Sequence, residues 1–255
     1  MTSADFDVII AGSGFGGSVL AARLSEAGLN ILLLERGNAW APGSFPRFPR
    51  EFHQALWDPS RNRYGLYNLW SFPGIDIVTA SGLGGGSLLY ANVLLRKDPA
   101  WFSQNQDENW PISYEDLVPH YERVEQTLGA RHLPSKFLDF AVPKSREFRD
   151  AAKAAGLDWR TVPLAVSFGK SADAAPETGV PLSNMANLHG APRVSCRLCG
   201  ECDVGCNYGS KNTLDLNYLS AAKANGTDIR TLSQVVSIRP EHNGYVFGFV
   251  THDPN

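Results

Sequence analysis

Residues 6 to 35 read as one unit, and they constrain the fold more than any other part of the chain. An apolar run, "FDVIIA", leads into Gly12-Ser-Gly14-Phe-Gly16-Gly17. Helix formers follow from Val19 to Ala27, Gly28 supplies a stop, and a second apolar run, Ile31 to Leu34, ends in Glu35. Short apolar runs of this kind suit buried parallel strands, and the segment between them suits a helix. The glycines at 12, 14 and 17 match G-x-G-x-x-G: the first makes a tight turn, the second lets a pyrophosphate approach the backbone, and the third lets helix and strand pack closely. Glu35 stands about twenty residues further on, where an acid accepts hydrogen bonds from a ribose 2′-hydroxyl and disfavours a 2′-phosphate. An α/β fold with a Rossmann-like dinucleotide site is expected.

The fingerprint does not separate NAD from FAD. A second glycine-rich loop, Ser81-Gly-Leu-Gly84-Gly85-Gly86-Ser87, presents unobstructed backbone N–H groups that suit a diphosphate or a flavin edge. Its alternative reading is a flexible surface loop.

Four stretches, in order, carry a family resemblance: "GSGFGG" at 12 to 17, "GLGGGSLLYANVLLRKDPAWF" at 82 to 102, "WPISYEDLVPHYERVEQTLG" at 110 to 129 and "GSKNTLDLNYL" at 209 to 219. The chain resembles the glucose–methanol–choline (GMC) oxidoreductases, and within them the bacterial cholesterol-oxidase-like branch. The resemblance implies a Rossmann-like FAD-binding domain with part of an α+β substrate domain, non-covalent FAD, and oxidation of an alcohol to a carbonyl by hydride transfer to flavin N5. By position it places Gly12, Gly14, Phe15, Gly16 and Gly17 at the pyrophosphate and Glu35 at the adenosine ribose. Gly85, Gly86, Tyr90, Ala91 and Asn92 fall along the ribityl chain and isoalloxazine, and Val235 at the adenine. Two positions depart from the pattern: Ser81 stands where many relatives have Arg, and Tyr90 where cholesterol oxidases have Asn, with Asn92 two places later.

Implied domains are 1–130 as the first part of the FAD-binding domain, 131–192 as part of a substrate or cap region, and 193–255 as a Cys-rich loop and return to the FAD domain. Within the first, residues 38–72 hold nine of the 27 aromatics with prolines at 42, 46, 49 and 59. Such a segment suits a lid over a flavin or apolar substrate, or rings packed on the core. Ser113-x-x-Asp116 is a capping box, Pro119 is expected to open a new helix, and Ser145 to Ala155 reads as an amphipathic helix stopped by Gly156. Asn243-Gly244 marks a hairpin. None of the six histidines, at 53, 120, 132, 189, 242 and 252, matches the family's catalytic position, so each reads as a surface or packing residue. The family's catalytic histidine and much of its substrate domain are expected beyond Asn255, which would make this an N-terminal part that does not turn over alone.

All four cysteines fall in Cys196-Arg-Leu-Cys199-Gly-Glu-Cys202-Asp-Val-Gly-Cys206, "CRLCGECDVGC". The C-x2-C-x2-C-x3-C spacing is that of bacterial ferredoxins without the trailing proline, so an iron–sulfur cluster is one reading. A structural zinc and a loop braced by free or disulfide-bonded cysteines are the others. A cluster would relay electrons to a quinone or protein and favour a dehydrogenase; without it, dioxygen would be the acceptor of an oxidase.

Composition narrows the classes. With 43% apolar and 19% charged residues and a net charge of −3, the chain fits a globular protein without the positive field that nucleic acid requires. No apolar run reaches membrane-span length, and the start lacks a secretory leader, so a cytoplasmic location is expected. There is no G-x-S-x-G, H-E-x-x-H or P-loop to suggest a hydrolase or P-loop NTPase. The rival readings are an NAD-dependent dehydrogenase, which leaves the second glycine loop unexplained, and a non-catalytic nucleotide-binding or electron-relay subunit. The substrate class is an alcohol, with a sterol first.

Overall fold

The computed structural model describes residues 5–51, 53–104, 111–183 and 186–254. Phe52 of the aromatic segment and Trp110 of the third motif lie outside the described residues. The principal elements in chain order are β1 (Val8–Ala11), α1 (Phe15–Glu26), β2 (Ile31–Leu34), β3 (Tyr67–Phe72), β4 (Ile75–Ala80), α2 (Tyr114–Thr127), α3 (Pro143–Ala154), α4 (Tyr218–Ala224), β5 (Asp228–Arg230), β6 (Ser233–Glu241) and β7 (Gly244–Thr251).

The site is organised by a parallel sheet of order β1-β2-β5, with Val8 opposite Ile31 and Leu32 opposite Asp228. As the middle strand, β2 is covered on both faces, which is why "ILLL" is apolar without alternation and every one of its residues is buried. Helices α1 and α4 pack on this sheet: Ile10, Ile31 and Leu33 form one cluster with Ala21 of α1, and with Leu219 and Ala222 of α4. Deleting one such buried leucine side chain costs about 2–5 kcal/mol. The close approach of α1 to β1 depends on Gly17, where a Cβ would lie 2.0 Å from the Gly12 carbonyl oxygen.

The helices start where their caps dictate. Ser113 and Asp116 form the expected capping box, each side chain bonding the other's backbone N–H. Pro119 does not open a new helix; it lies inside α2. The box fixes the start at Tyr114, and the later proline removes only one backbone donor from a helix already anchored through Val124 and Leu128. Helix α3 starts two residues earlier than the sequence pattern suggests because Pro143 serves as its first residue, and Gly156 follows it at φ +68°.

Residues 38–72 divide in two. Phe45, Ala55, Leu66 and Tyr67 are buried with Leu88 and belong to the core, while Phe48 between them is exposed. The end of the segment runs into the β3–β4 hairpin, where Trp70, Phe72, Ile75 and Val78 are exposed. The C-terminal hairpin forms as expected, but Glu241 pairs with Gly244, so its two-residue loop is His242-Asn243 rather than Asn243-Gly244. Among the described residues, no helix is long and apolar enough to cross a membrane.

Candidate dinucleotide site

A cleft of about 310 Å³ opens at the C-terminal ends of β1 and β2, between the two glycine loops and the start of β6. Gly12, Gly14, Glu35, Gly85 and Val235, which are far apart in sequence, all line it. Helix α1 begins at this cleft from Gly14, and no side chain caps it. Its first amides are therefore left for an outside acceptor, and the helix dipole favours an anion there.

Glu35 is held in place rather than merely present. Its Oε2 accepts from the Ser13 backbone N–H (2.9 Å) and hydroxyl, and its Oε1 accepts from the Gly37 N–H (2.8 Å). Its own N–H donates to the Arg230 carbonyl, and its carbonyl accepts from the Ser233 N–H, which locks it between β5 and β6. The Ser13 hydroxyl also accepts from the Gly84 N–H at 3.0 Å. One buried serine thus joins the acid, the first glycine loop and the second. A Cβ at Gly85 would lie 2.8 Å from the Gly14 Cα, so the second loop rests directly on the first. Ser13 occupies an unspecified position of the fingerprint, so the motif gave no signal for it.

The remaining expected residues sit beside this cleft. Gly16 and Gly17 lie in the first turn of α1. Phe15 meets Tyr90 edge to face, with ring centroids 5.7 Å apart. Gly86 and Ala91 are exposed, while Asn92 is buried at φ +58°, a left-handed conformation that Asn tolerates better than most residues. The buried Tyr90 Oη and Asn92 Oδ1 have no hydrogen-bond partner among the described residues. Burial pushes the Tyr90 phenol up to about 12.

Three buried polar groups behind the second loop were not singled out by sequence reasoning. Lys211 is only 1% exposed, and burial draws its pKa down to about 8 against the pull of neighbouring thiols and carboxylates. His189 is a buried hydrogen-bonding residue, its Nε2 lying 2.7 Å from Asp215 Oδ2, and Asp215 sits under Gly84. The Arg193 guanidinium donates to the Gly209 carbonyl and Asn212 Oδ1. Lys211, Asn212 and Asp215 all belong to the "GSKNTLDLNYL" stretch, so the signal was a motif whose polar residues have buried partners.

The four cysteines line one pocket together with Arg47 and Lys211. They are separate thiols, and among the described residues no three His, Cys, Asp or Glu side chains gather closely enough to hold a metal ion. Burial raises Cys196 to about 11; it also raises Cys202, which the charge of Lys211 pulls partly back.

Fold and cleft together define a dinucleotide-binding α/β protein, and a model for an NAD(P)-binding Rossmann-like domain matches residues 10–45. Over 242 residues, the chain is 33% identical to a cholesterol oxidase of Mycobacterium tuberculosis (strain ATCC 25618 / H37Rv), covering 94% of this chain and 41% of that protein. A cholesterol oxidase of Acinetobacter baumannii is 30% identical over 236 residues, covering 92% and 42%. Among solved structures, pyridoxine 4-oxidase from Mesorbium loti superposes with a TM-score of 0.53 at 20% identity, covering 96% of this chain and 48% of that one, a likeness of fold. The chain is similar to these cholesterol oxidases and, at 26% identity, to a GMC-type oxidoreductase of Mycobacterium tuberculosis (strain CDC 1551 / Oshkosh). It spans about two fifths of the length of the two cholesterol oxidases.

Proposed function

We propose that this chain is the nucleotide-binding part of an FAD-dependent oxidoreductase that converts an alcohol to a carbonyl, with a sterol as the first substrate to test. The observation that carries this reading is the convergence of Gly12, Gly14, Glu35, Gly85 and Val235 on one cleft. The geometry suits FAD. Uncapped α1 amides offer donors to a pyrophosphate, and the glycine-lined walls let it approach. Glu35 Oε2 is filled by the two Ser13 donors, whereas Oε1 accepts only from the Gly37 N–H and retains acceptor capacity for a ribose hydroxyl.

Bound flavin would supply the hydride acceptor. The chain's own residues bind and orient it: Glu35 at the ribose, Gly12 to Gly17 at the diphosphate, and Gly85, Gly86 and the Tyr90 to Asn92 turn at the ribityl and ring end. Residues 1–130 and 193–255 are assigned to the FAD-binding part, a division supported by the pairing of β5 with β2, and residues 131–192 to the cap region. A reducing, cytoplasmic setting is the location proposed with this reading.

The test is purification of the chain at its full natural length under anaerobic conditions, with a visible spectrum, iron, zinc and sulfide analysis, and a panel of sterol, aliphatic and sugar alcohols. Flavin bands that bleach on adding a sterol are expected. A colourless protein that binds NAD but not FAD would overturn the reading. Iron and sulfide alongside flavin would assign the cysteines to an iron–sulfur relay.

A further inference from the structure

All three donors of the Lys211 ammonium are directed at backbone carbonyls: Leu88 at 2.9 Å, Tyr90 at 3.1 Å and Cys202 at 2.7 Å. Two of these carbonyls belong to the turn after the second glycine loop, and the third lies in the middle of the cysteine loop. Arg47 grips the other side of that loop, donating to the Val204 and Gly205 carbonyls and to Glu201. Asn207 and Phe45 bond reciprocally beside it. The cysteine loop is therefore a packed wedge, with the aromatic segment on one side and the Leu88–Tyr90 turn on the other.

We propose that Lys211 is a positioning residue that couples the cysteine loop to the Leu88–Tyr90 turn, so that a group attached to the thiols displaces the turn. The coupling stands on this geometry alone; that the displaced turn faces a flavin rests on the reading above. The physical reason is the cost of an unmatched buried charge. Moving the Cys202 carbonyl either draws Nζ with it, away from Leu88 and Tyr90, or leaves an ammonium donor unpaired on a side chain that is buried. A neutral side chain of similar length would fill the space but transmit nothing.

The experiment uses the chain at its natural length, modified with methyl methanethiosulfonate. Each reacting thiolate forms a methyl disulfide as methanesulfinate leaves, and dithiothreitol reverses the change. Amide hydrogen exchange is read at Leu89 and Tyr90, whose N–H groups both donate to the Gly86 carbonyl. Modification is expected to speed exchange there by on the order of tenfold, the equivalent of weakening one charge-assisted hydrogen bond. In Lys211→Met, exchange is already fast and modification adds nothing; in Lys211→Arg, which keeps charge and donors, part of the response returns. Unchanged exchange in wild-type protein with all four thiols shown by mass to be modified would overturn the proposal, whether or not Lys211→Met folds. So would a folded Lys211→Met protein with wild-type protection and response. Circular dichroism of bound flavin, recorded in parallel, is expected to shift on modification. Protein that takes up no flavin would refute the flavin reading, while the exchange measurement still decides the coupling.

Discussion

The two glycine loops meet in one cleft but are built differently. The first is mainly local: Gly12 to Gly17 turn directly from β1 into α1, the Ser18 hydroxyl donates to the Ser13 carbonyl, and Ser13 ties the loop to Glu35 and Gly84. The second is held from behind by residues more than a hundred positions away. Lys211 bonds Leu88 and Tyr90, and the Leu214 N–H donates to the Ser87 hydroxyl. A dinucleotide end can thus be specified by a short motif, whereas the end assigned to the flavin ring depends on a distant segment folding correctly against it.

The largest expected effect breaks the local loop. Gly17→Val drives a side chain into the Gly12 carbonyl oxygen and separates α1 from β1, so a loss of about 3 kcal/mol or more and of FAD binding is expected by denaturant titration. Next comes the support behind the second loop. Asp215→Ala leaves the buried His189 ring nitrogen without its partner and is expected to cost about 1–3 kcal/mol. Glu35→Gln sharpens the contrast, because it removes the charge at the position assigned to the ribose while setting an amide NH2 against the Ser13 or Gly37 N–H. FAD affinity measured by fluorescence titration is expected to fall about tenfold or more, with a stability loss of about 1–3 kcal/mol in the same variant.

Smaller effects test the cysteine pocket and a region remote from both loops. In protein free of metal, iodoacetamide at neutral pH should label exposed Cys199 first and Cys196 last, since burial holds the Cys196 thiol at about 11. Equal rates in peptide mass spectra would contradict the packing of that loop. At the α2 capping box, bonds from the Ser113 N–H and hydroxyl hold Asp116 below its ordinary carboxylate value of 3.8. Its stabilisation is present above that value and lost as pH falls through the depressed one. Ser113→Ala, which keeps the backbone donor and loses the hydroxyl, should reduce a slight acid-dependent step in helix content, measured by circular dichroism.

Much of the architecture was legible beforehand. "ILLL" spans the second strand as expected, and the α2 capping box and C-terminal hairpin also formed, because periodicity and caps act over a few residues. The errors had local causes too. Pro119 looks like a helix start only if the earlier box at Ser113 is given no priority, and the hairpin loop moved by one residue because cross-strand register chose the turn. The aromatic segment was ambiguous because ring content cannot distinguish Phe45 and Tyr67, which pack against Leu88, from the exposed Trp70 and Phe72.

By itself, the sequence determined the strand, glycine loop and helix, the position of Glu35, and the family likeness, since each rests on neighbouring residues or on motifs in order. Only the tertiary structure decided that Ser13 ties Glu35 to the second glycine loop, that His189 is buried against Asp215, and that the cysteine loop is joined through Lys211 to the Tyr90 turn. Those contacts link residues 71 to 123 positions apart, except for the nearer Ser13–Glu35, His189–Asp215 and Lys211–Cys202 pairs. Their energies come from burying polar groups against specific partners, and no periodicity or spacing along the chain encodes which partners will meet.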